Sequence, residues 1–258
     1  MGDMVSNTGE AKIFDRKKRI LFVVDGDASD LYYTGMLLQR LDYSIYTTRM
    51  AEEALDVMRF AVPLLILTEA SLPHMSGVEF LKQIKQDPKT KAVPVIVYTA
   101  SPDPSLKDMC LRAGCAAYLR KPVDPDELYA AIQKATEASP RQYIRLNACV
   151  QVIVGDETTV EGPLGGDCVT ALSENGMYIT TARPHVTGES LAITLFLGNA
   201  KIRCEGVVLY SFIGNKGPMG APGLGIKFSR IRPEDRNLIR AFVKKELTQD
   251  IAQRENGE

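Results

Sequence analysis

Five polar side chains stand at or just past the ends of short apolar runs in the first half of the chain. Asp25 and Asp27 follow the first run, Glu69 closes the third, Thr99 the fourth and Lys121 the fifth. Three carboxylates converging on one edge could hold a hard cation through oxygen ligands. An ammonium and a hydroxyl opposite them would grip a phosphoryl group. A second set lies further on, where Arg141 and Arg145 stand four residues apart just ahead of an alternating stretch, Val150, Val152 and Val154. Such a pair can fork onto phosphate oxygens, bond the N7/O6 edge of guanine, or stack on a purine face. The same spacing also describes two solvated surface arginines. No Ser/His/Asp or Cys/His set accompanies them, since His185 is the only histidine of this half. The chemistry expected is therefore binding, with no enzymatic activity.

The elements that must position the first set alternate regularly. Strand-like runs fall at 20–25, 44–48, 64–69, 95–100 and 117–121, and helical patterns at 29–41, 51–60, 77–86, 105–112 and 125–136. Leu31, Leu37, Leu38 and Leu41 share one helical face, as do Val78, Leu81 and Ile84. Strands that read Leu-Phe-Val-Val and Leu-Leu-Ile-Leu are apolar throughout, which suits a parallel sheet covered on both faces. Five βα repeats in this length predict a flavodoxin-like (βα)5 domain. Working groups in such sheets gather at the carboxyl ends of the strands. All five polar residues are at those ends.

After Pro140 the period changes to that of strands. Candidates lie at 150–154, 168–172, 177–181, 192–197, 201–211 and 224–228. Gly155, Gly165-Gly166, Asn175-Gly176, Gly188 and Gly198-Asn199 punctuate the gaps. About six short strands predict a small antiparallel β-barrel or sandwich. The Gly/Pro-rich run 214–225 reads as a mobile loop. Pro233 suits a first helical turn, and Leu238, Ile239, Phe242, Val243 and Leu247 form the apolar stripe of a closing helix.

Composition narrows the function classes. The chain has 258 residues, 24% charged, with a net charge of -1. Residues 1–140 carry 17 Lys+Arg against 19 Asp+Glu, and residues 141–258 carry 14 against 13. Neither half has the basic excess that DNA binding draws on. No apolar run reaches the roughly 20 residues of a membrane span, so no membrane insertion is expected. The first 18 residues lack the apolar core of a signal peptide, and a cytoplasmic location is expected. Gly2 and Ser6 fit the short N-myristoylation pattern, which is too unspecific to carry a reading. Cys110, Cys115, Cys149, Cys168 and Cys204 show no C-x-x-C spacing and read as small apolar core residues, with no metal site.

Residues 18–137 resemble a response-regulator receiver domain. The resemblance rests on Val-Val-Asp25, Leu72-Pro73-His74-Met75-Ser76-Gly77, Tyr98-Thr99-Ala100 and Lys121-Pro122. Tyr118 matches the aromatic that reports on phosphorylation in that family. The resemblance implies a phosphate-accepting aspartate where this chain has Glu69, and an acidic pair where it has Asp25-Gly26. The extra methylene of glutamate moves the carboxylate about 1.5 Å, beyond what in-line attack tolerates. A degenerate receiver with magnesium unlikely is the expectation. Asp27 lies one residue past Gly26, where the second acid is expected, so in an extended segment its side chain would face the opposite way from that position, unless a turn brings it round. Glu69 has two open readings: it reaches Thr99 and Lys121 and imitates a phosphorylated aspartate, or the pocket has decayed on a domain kept for docking or homodimer formation.

The second half resembles a PilZ domain, a six-stranded barrel many of whose members bind cyclic di-GMP. The carrying residues are Arg141 and Arg145, the stretch Ala171-Leu-Ser173-Glu-Asn-Gly176, then Gly223-Leu-Gly225-Ile-Lys-Phe228 and Pro233-Glu-Asp-Arg-Asn-Leu. The resemblance implies that the arginines grip guanine and phosphate as an arm wraps the ligand, and that a turn of the form [D/N]-x-S-x-x-G meets the other guanine. Ser173 and Gly176 are present, but Ala171 stands where Asp or Asn is expected. One lost hydrogen bond costs about 0.5–1.5 kcal/mol, or about 1.5–3 if charged. That weakens binding from a few-fold to about a hundredfold. The expected organisation is an extension (1–17), a receiver (18–137), a linker with the arginine arm (138–145), a barrel (146–231), a helix (232–250) and a tail (251–258). The expected role is a bacterial cyclic di-GMP effector docking on a protein partner, or a nucleotide-independent adaptor. Because the arm follows the receiver's last helix, ordering it is expected to change the angle between domains.

Overall fold

The computed structural model describes residues 20–155, 167–183 and 185–251. The expected extension with Gly2 and Ser6, the Gly165-Gly166 turn and most of the tail lie outside them. The chain divides between Arg141 and Gln142 into two compact units, inside the expected linker.

The first unit builds one parallel sheet from β1 (Ile20–Val24), β2 (Ser44–Thr48), β3 (Leu65–Thr68), β4 (Val95–Thr99) and β5 (Ala117–Arg120). The strand order is β2-β1-β3-β4-β5. Helices α1 (Ala28–Arg40), α2 (Ala51–Met58), α3 (Gly77–Gln86), α4 (Pro104–Arg112) and α5 (Pro125–Thr136) connect and flank the strands. Every residue of β3 and β4 is buried, as their unbroken apolar sequences require of a sheet covered on both sides. One core cluster joins Phe22, Val24, Ile66, Val95 and Val97 of the sheet to Phe80, Leu81 and Ile84 of α3. Helix starts are written locally. Asp27 caps α1, Asp103 caps α4 and Asp124 caps α5, each accepting backbone N–H bonds, while Ser76 and Glu79 close a capping box on α3.

The second unit is a closed antiparallel barrel. Its strands are β6 (Leu146–Val154), β7 (Cys168–Ser173), β8 (Gly176–Thr180), β9 (Ser190–Leu197), β10 (Ala200–Phe212) and β11 (Gly223–Arg230), in the order β10-β11-β8-β7-β6-β9. Closure leaves none of these strands as an open edge. Val169, Leu172, Ile179, Leu195, Ile202 and Leu224 fill the interior. Helix α6 (Pro233–Thr248) follows, burying Ile239, Val243 and Leu247. The run 214–225, expected as a mobile loop, is more ordered than that. It holds two 3-10 turns, Gly214–Lys216 and Pro218–Gly220, and its last three residues already belong to β11. Gly225 pairs there with Tyr210, whose ring leaves no room for a Cβ.

Candidate functional site

The parallel sheet brings four of the five expected residues together beyond the carboxyl ends of β1, β3, β4 and β5. Lys121 is the hub. Its ammonium donates to Asp25 Oδ2, to Asp30 Oδ2 at 2.8 Å and to Glu69 Oε2 at 3.1 Å. Three donors thus meet three carboxylates. Glu69 is held by more than the lysine. Its Oε1 accepts from the Thr99 hydroxyl and from the N–H groups of Ala70 (2.7 Å) and Ser71 (3.3 Å), and its Oε2 from the Ala100 N–H at 3.1 Å. The hydroxyl and the ammonium of the pocket are therefore both engaged by Glu69's own carboxylate. This is the contact that the first of its two readings requires.

Burial sets the electrostatics. Thr99 is wholly buried, and Asp25 and Glu69 are 4% and 8% exposed. Burial pushes the Glu69 carboxyl up, but the Thr99 hydroxyl, Lys121 and the Ala100 N–H outweigh it and leave it below its ordinary value. For Asp25 burial prevails over its bonds from Lys121 and Asp27, and the carboxyl is raised. Burial works against the Lys121 charge too, yet the bonds to Asp25 and Asp30 carry its ammonium above the ordinary lysine range. One cation is shared by three carboxylates, and Glu69 is held in addition by the Thr99 hydroxyl and backbone N–H groups.

Asp27 is not part of it. As N-cap of α1 its Oδ1 accepts from Ser29 N at 2.8 Å and Asp30 N at 3.0 Å, while its own N–H donates to Asp25 Oδ1. The helix start turns the chain so that Asp30, absent from the expected set, supplies the third carboxylate to Lys121. Its position in the first turn, three residues past the cap, was the available signal. Gly77 is required by close approach: a Cβ there would lie 2.1 Å from the Glu69 carbonyl oxygen. Its N–H donates to Ala70 O at 2.8 Å, seating α3 against the loop that carries Glu69. Tyr118, on β5, is partly buried against the core cluster.

The two arginines fall on either side of the division between units, and both side chains are exposed. The Arg141 N–H donates to Gln133 Oε1 at 3.1 Å. Gln133 lies on α5 and is itself fixed by its amide bond to Tyr43 OH at 2.9 Å. The arm therefore begins fastened to the first unit's last helix. Arg145 immediately precedes β6.

In the barrel, Ser173 ends β7 and Gly176 begins β8, with Glu174 and Asn175 as the turn between them. The Ser173 hydroxyl donates to Gly176 O at 3.0 Å. A Cβ on Gly176 would lie 2.2 Å from Ile226 O, so close passage of β11 demands glycine whatever else the turn does. Helix α6 holds this turn from outside. Arg236 donates to Glu174 O at 3.1 Å and to the Asn175 side chain, and Arg240 forks onto the Glu174 carboxylate. Ala171 pairs across the ladder with Asn147 of β6, an exposed amide two residues past Arg145. Neither the Arg236–Arg240 clamp nor Asn147 was singled out from the sequence, because the first depends on how α6 docks and the second on cross-strand register.

The cysteine expectation needs correcting. Cys110, Cys115 and Cys204 are buried, but Cys149 is exposed and Cys168 half-buried, with their sulfurs 2.7 Å apart across β6 and β7. Antiparallel pairing joins two residues that sequence spacing left scattered.

A parallel five-stranded sheet with a lysine–carboxylate cluster at its strand ends, followed by a closed six-stranded barrel, is the architecture of a two-module signalling protein. The family model for the response regulator receiver domain matches residues 21–133, and that for the PilZ domain matches residues 136–245. The chain belongs to the response regulator family through its receiver domain, and it carries a PilZ domain behind it. It is 30% identical over 120 residues to an uncharacterized 14.6 kDa protein of Leptolyngbya boryana, covering 46% of this chain and 92% of that one. It is 33% identical over 106 residues to the polar-differentiation response regulator DivK of Brucella ovis, covering 41% of this chain and 85% of that one. Among solved structures, the chemotaxis response regulator CheY4 of Vibrio cholerae matches at 25% identity with a TM-score of 0.43, covering 46% of this chain and 98% of that one. Receiver and PilZ domains are typically non-catalytic signalling modules. Among the described residues no helix is long and apolar enough to cross a membrane.

Proposed function

We propose that this signalling protein is a cyclic di-GMP effector whose receiver no longer accepts phosphate. The observation that carries the nucleotide reading is that the residues matching a PilZ domain include two exposed arginines, Arg141 and Arg145, as well as the Ser173–Gly176 turn. The arginines supply charge-assisted and stacking contacts to phosphate and guanine. Ser173 and Gly176 shape the barrel side. The acceptor missing at Ala171 is replaced, on this reading, by Asn147. Directly opposite residues on neighbouring antiparallel strands have Cβ atoms about 4.5–5.5 Å apart. An amide at 147 therefore reaches the space above Ala171 with both a donor pair and an acceptor.

The receiver's part is structural. Glu69 takes the hydroxyl of Thr99 and the ammonium of Lys121 that a phosphoryl group would need, so the pocket is set in one state without a phosphodonor. Magnesium is not expected to bind, since Gly26 supplies no carboxylate and the Asp25 and Glu69 carboxylates are already engaged by Lys121. Arg141 hangs from Gln133 of α5, so ordering the arm on a nucleotide would pull directly on the receiver's last helix. A cytoplasmic site of action and an output through a docked protein partner complete the reading.

Calorimetric titration of cyclic di-GMP into the purified protein, beside an Arg141→Ala/Arg145→Ala double variant, tests it. Micromolar or tighter binding that disappears in the variant is the expected result. An absence of heat at tens of micromolar protein would overturn the nucleotide reading in favour of a nucleotide-independent adaptor. That second reading is favoured by Ala171 and Glu69 and opposed by the intact arginine pair.

A further inference from the structure

We propose that Cys149 and Cys168 are a redox-active dithiol that a hydroperoxide closes reversibly into a disulfide between β6 and β7. Barrel geometry alone supports this, independently of nucleotide binding. The two sulfurs lie 2.7 Å apart, on adjacent antiparallel strands and 19 residues apart in sequence. A bonded pair sits at about 2.05 Å, so closure asks for a movement of only about 0.7 Å. The ladder is irregular here. A register shift between Asn147 and Val150 places Cys149 in a bulge, where side-chain direction is least constrained by pairing.

Exposure separates this pair from the other cysteines. Cys110 is 0% exposed, Cys115 9% and Cys204 8%. Each fills core space as a small apolar side chain. Cys149 is exposed and gains nothing from burial, and Cys168 is half-buried beside it. Among the described residues no group of three or more His, Cys, Asp or Glu side chains is placed to hold a metal ion. Burial, and then the bond with Cys149, push the Cys168 thiol up to about 11; Cys149, the more exposed sulfur, is the one a peroxide reaches first.

The steps balance. The Cys149 thiolate attacks one oxygen of hydrogen peroxide: an S–O bond forms, the O–O bond breaks, and hydroxide leaves to become water with the thiol's proton. The Cys168 sulfur then attacks the sulfenic sulfur: the S–S bond forms, the S–O bond breaks, and a second water leaves with the Cys168 proton. Two thiols have given two electrons to one peroxide. A dithiol reductant restores both by exchange. In a reducing compartment such a bridge is transient, as redox-sensing disulfides are. Asn147 and Cys149 both face outward on β6, alternating with buried Leu146 and Val150. The bridge therefore stiffens the same outer face that carries Asn147 and Ala171.

The test uses the full-length wild-type protein, treated with stoichiometric hydrogen peroxide, alkylated under denaturing conditions and mapped by mass spectrometry without reductant. Expected are loss of two of the five thiols, a linked Cys149–Cys168 peptide pair lighter by two hydrogens, and full recovery with dithiothreitol. Cys168→Ser should leave a Cys149 sulfenic acid that dimedone traps. Cys149→Ser should leave all remaining thiols free. Five free thiols after treatment, a bridge between chains, or over-oxidation of Cys149 without a bridge would each overturn the proposal. The wild-type map decides it even if a substitution disturbs folding.

Discussion

Replacing Lys121 with methionine keeps the apolar stem and removes the one ammonium that three carboxylates share. Asp30 is 43% exposed at its side chain, so water takes over most of its loss. Asp25 and Glu69 have no such relief, with side chains 5% and 9% exposed. Removing one partner of a buried ion pair costs about 3–5 kcal/mol. Glu69 keeps its bonds from Thr99, Ala70 and Ala100, so the low end, about 3 kcal/mol, is expected at pH 8. For a domain of this size that corresponds to a fall in the receiver's Tm of roughly 10–15 °C. The dependence on pH is the sharper readout. In the wild type Glu69 is lowered from 4.5, so its stabilisation is present above that value and lost as pH falls through the folded pKa. Lys121 is raised from 10.5, so its stabilisation is complete below that value and lost only as pH rises above it, outside the range of the assay. In the variant Asp25, already raised by burial in the wild type, rises further, and Glu69 loses the lysine that helps hold it down. The folded state then holds the extra protons, and stability declines as pH rises from about 5 to 8. Differential scanning calorimetry of both proteins at pH 5 and pH 8 measures this. A deficit below about 1 kcal/mol at pH 8, or one equal at the two pH values, would refute the description of Lys121 as the hub of a buried charge cluster.

Four further outcomes are expected. Ala171→Asn should tighten cyclic di-GMP binding by a few-fold to about a hundredfold. Asn147→Ala should weaken binding in the wild type but much less once Ala171→Asn is in place, and calorimetry of the cycle measures the coupling. Gly176→Ala drives a methyl to 2.2 Å from Ile226 O and should lower barrel stability by about 1–3 kcal/mol, read from denaturant unfolding. Asp27→Ala should cost about 0.5–2 kcal/mol of receiver stability through the lost cap, while magnesium titration registers no heat before or after the change.

Local signals carried most of the fold. Unbroken apolar runs in β1 and β3 announced a parallel sheet with two covered faces, and alternation from Val150 to Val154 announced the change to an antiparallel domain. Both patterns depend on side-chain period, which is a property of neighbouring residues. The loop expected at 214–225 was misjudged for the same reason. Its glycines and prolines suggest flexibility, yet Gly223 and Gly225 are glycine because Tyr178 and Tyr210 pack against them, a demand from strands distant in sequence.

The sites divide along the same line. Asp25, Glu69, Thr99 and Lys121 were legible because a parallel sheet delivers strand ends to one edge, whatever the details between them. Asp30 joins the cluster in place of Asp27 because the turn into α1 commits Asp27 to a cap and brings Asp30 to Lys121. The arginine pair, Ser173 and Gly176 could be read as a contiguous motif. Asn147 opposite Ala171, the α6 arginines on the β7–β8 turn, and the thiols of Cys149 and Cys168 could not. Each of these contacts is a matter of register or docking between segments far apart in the chain, settled only when the barrel closes and its strands choose their partners.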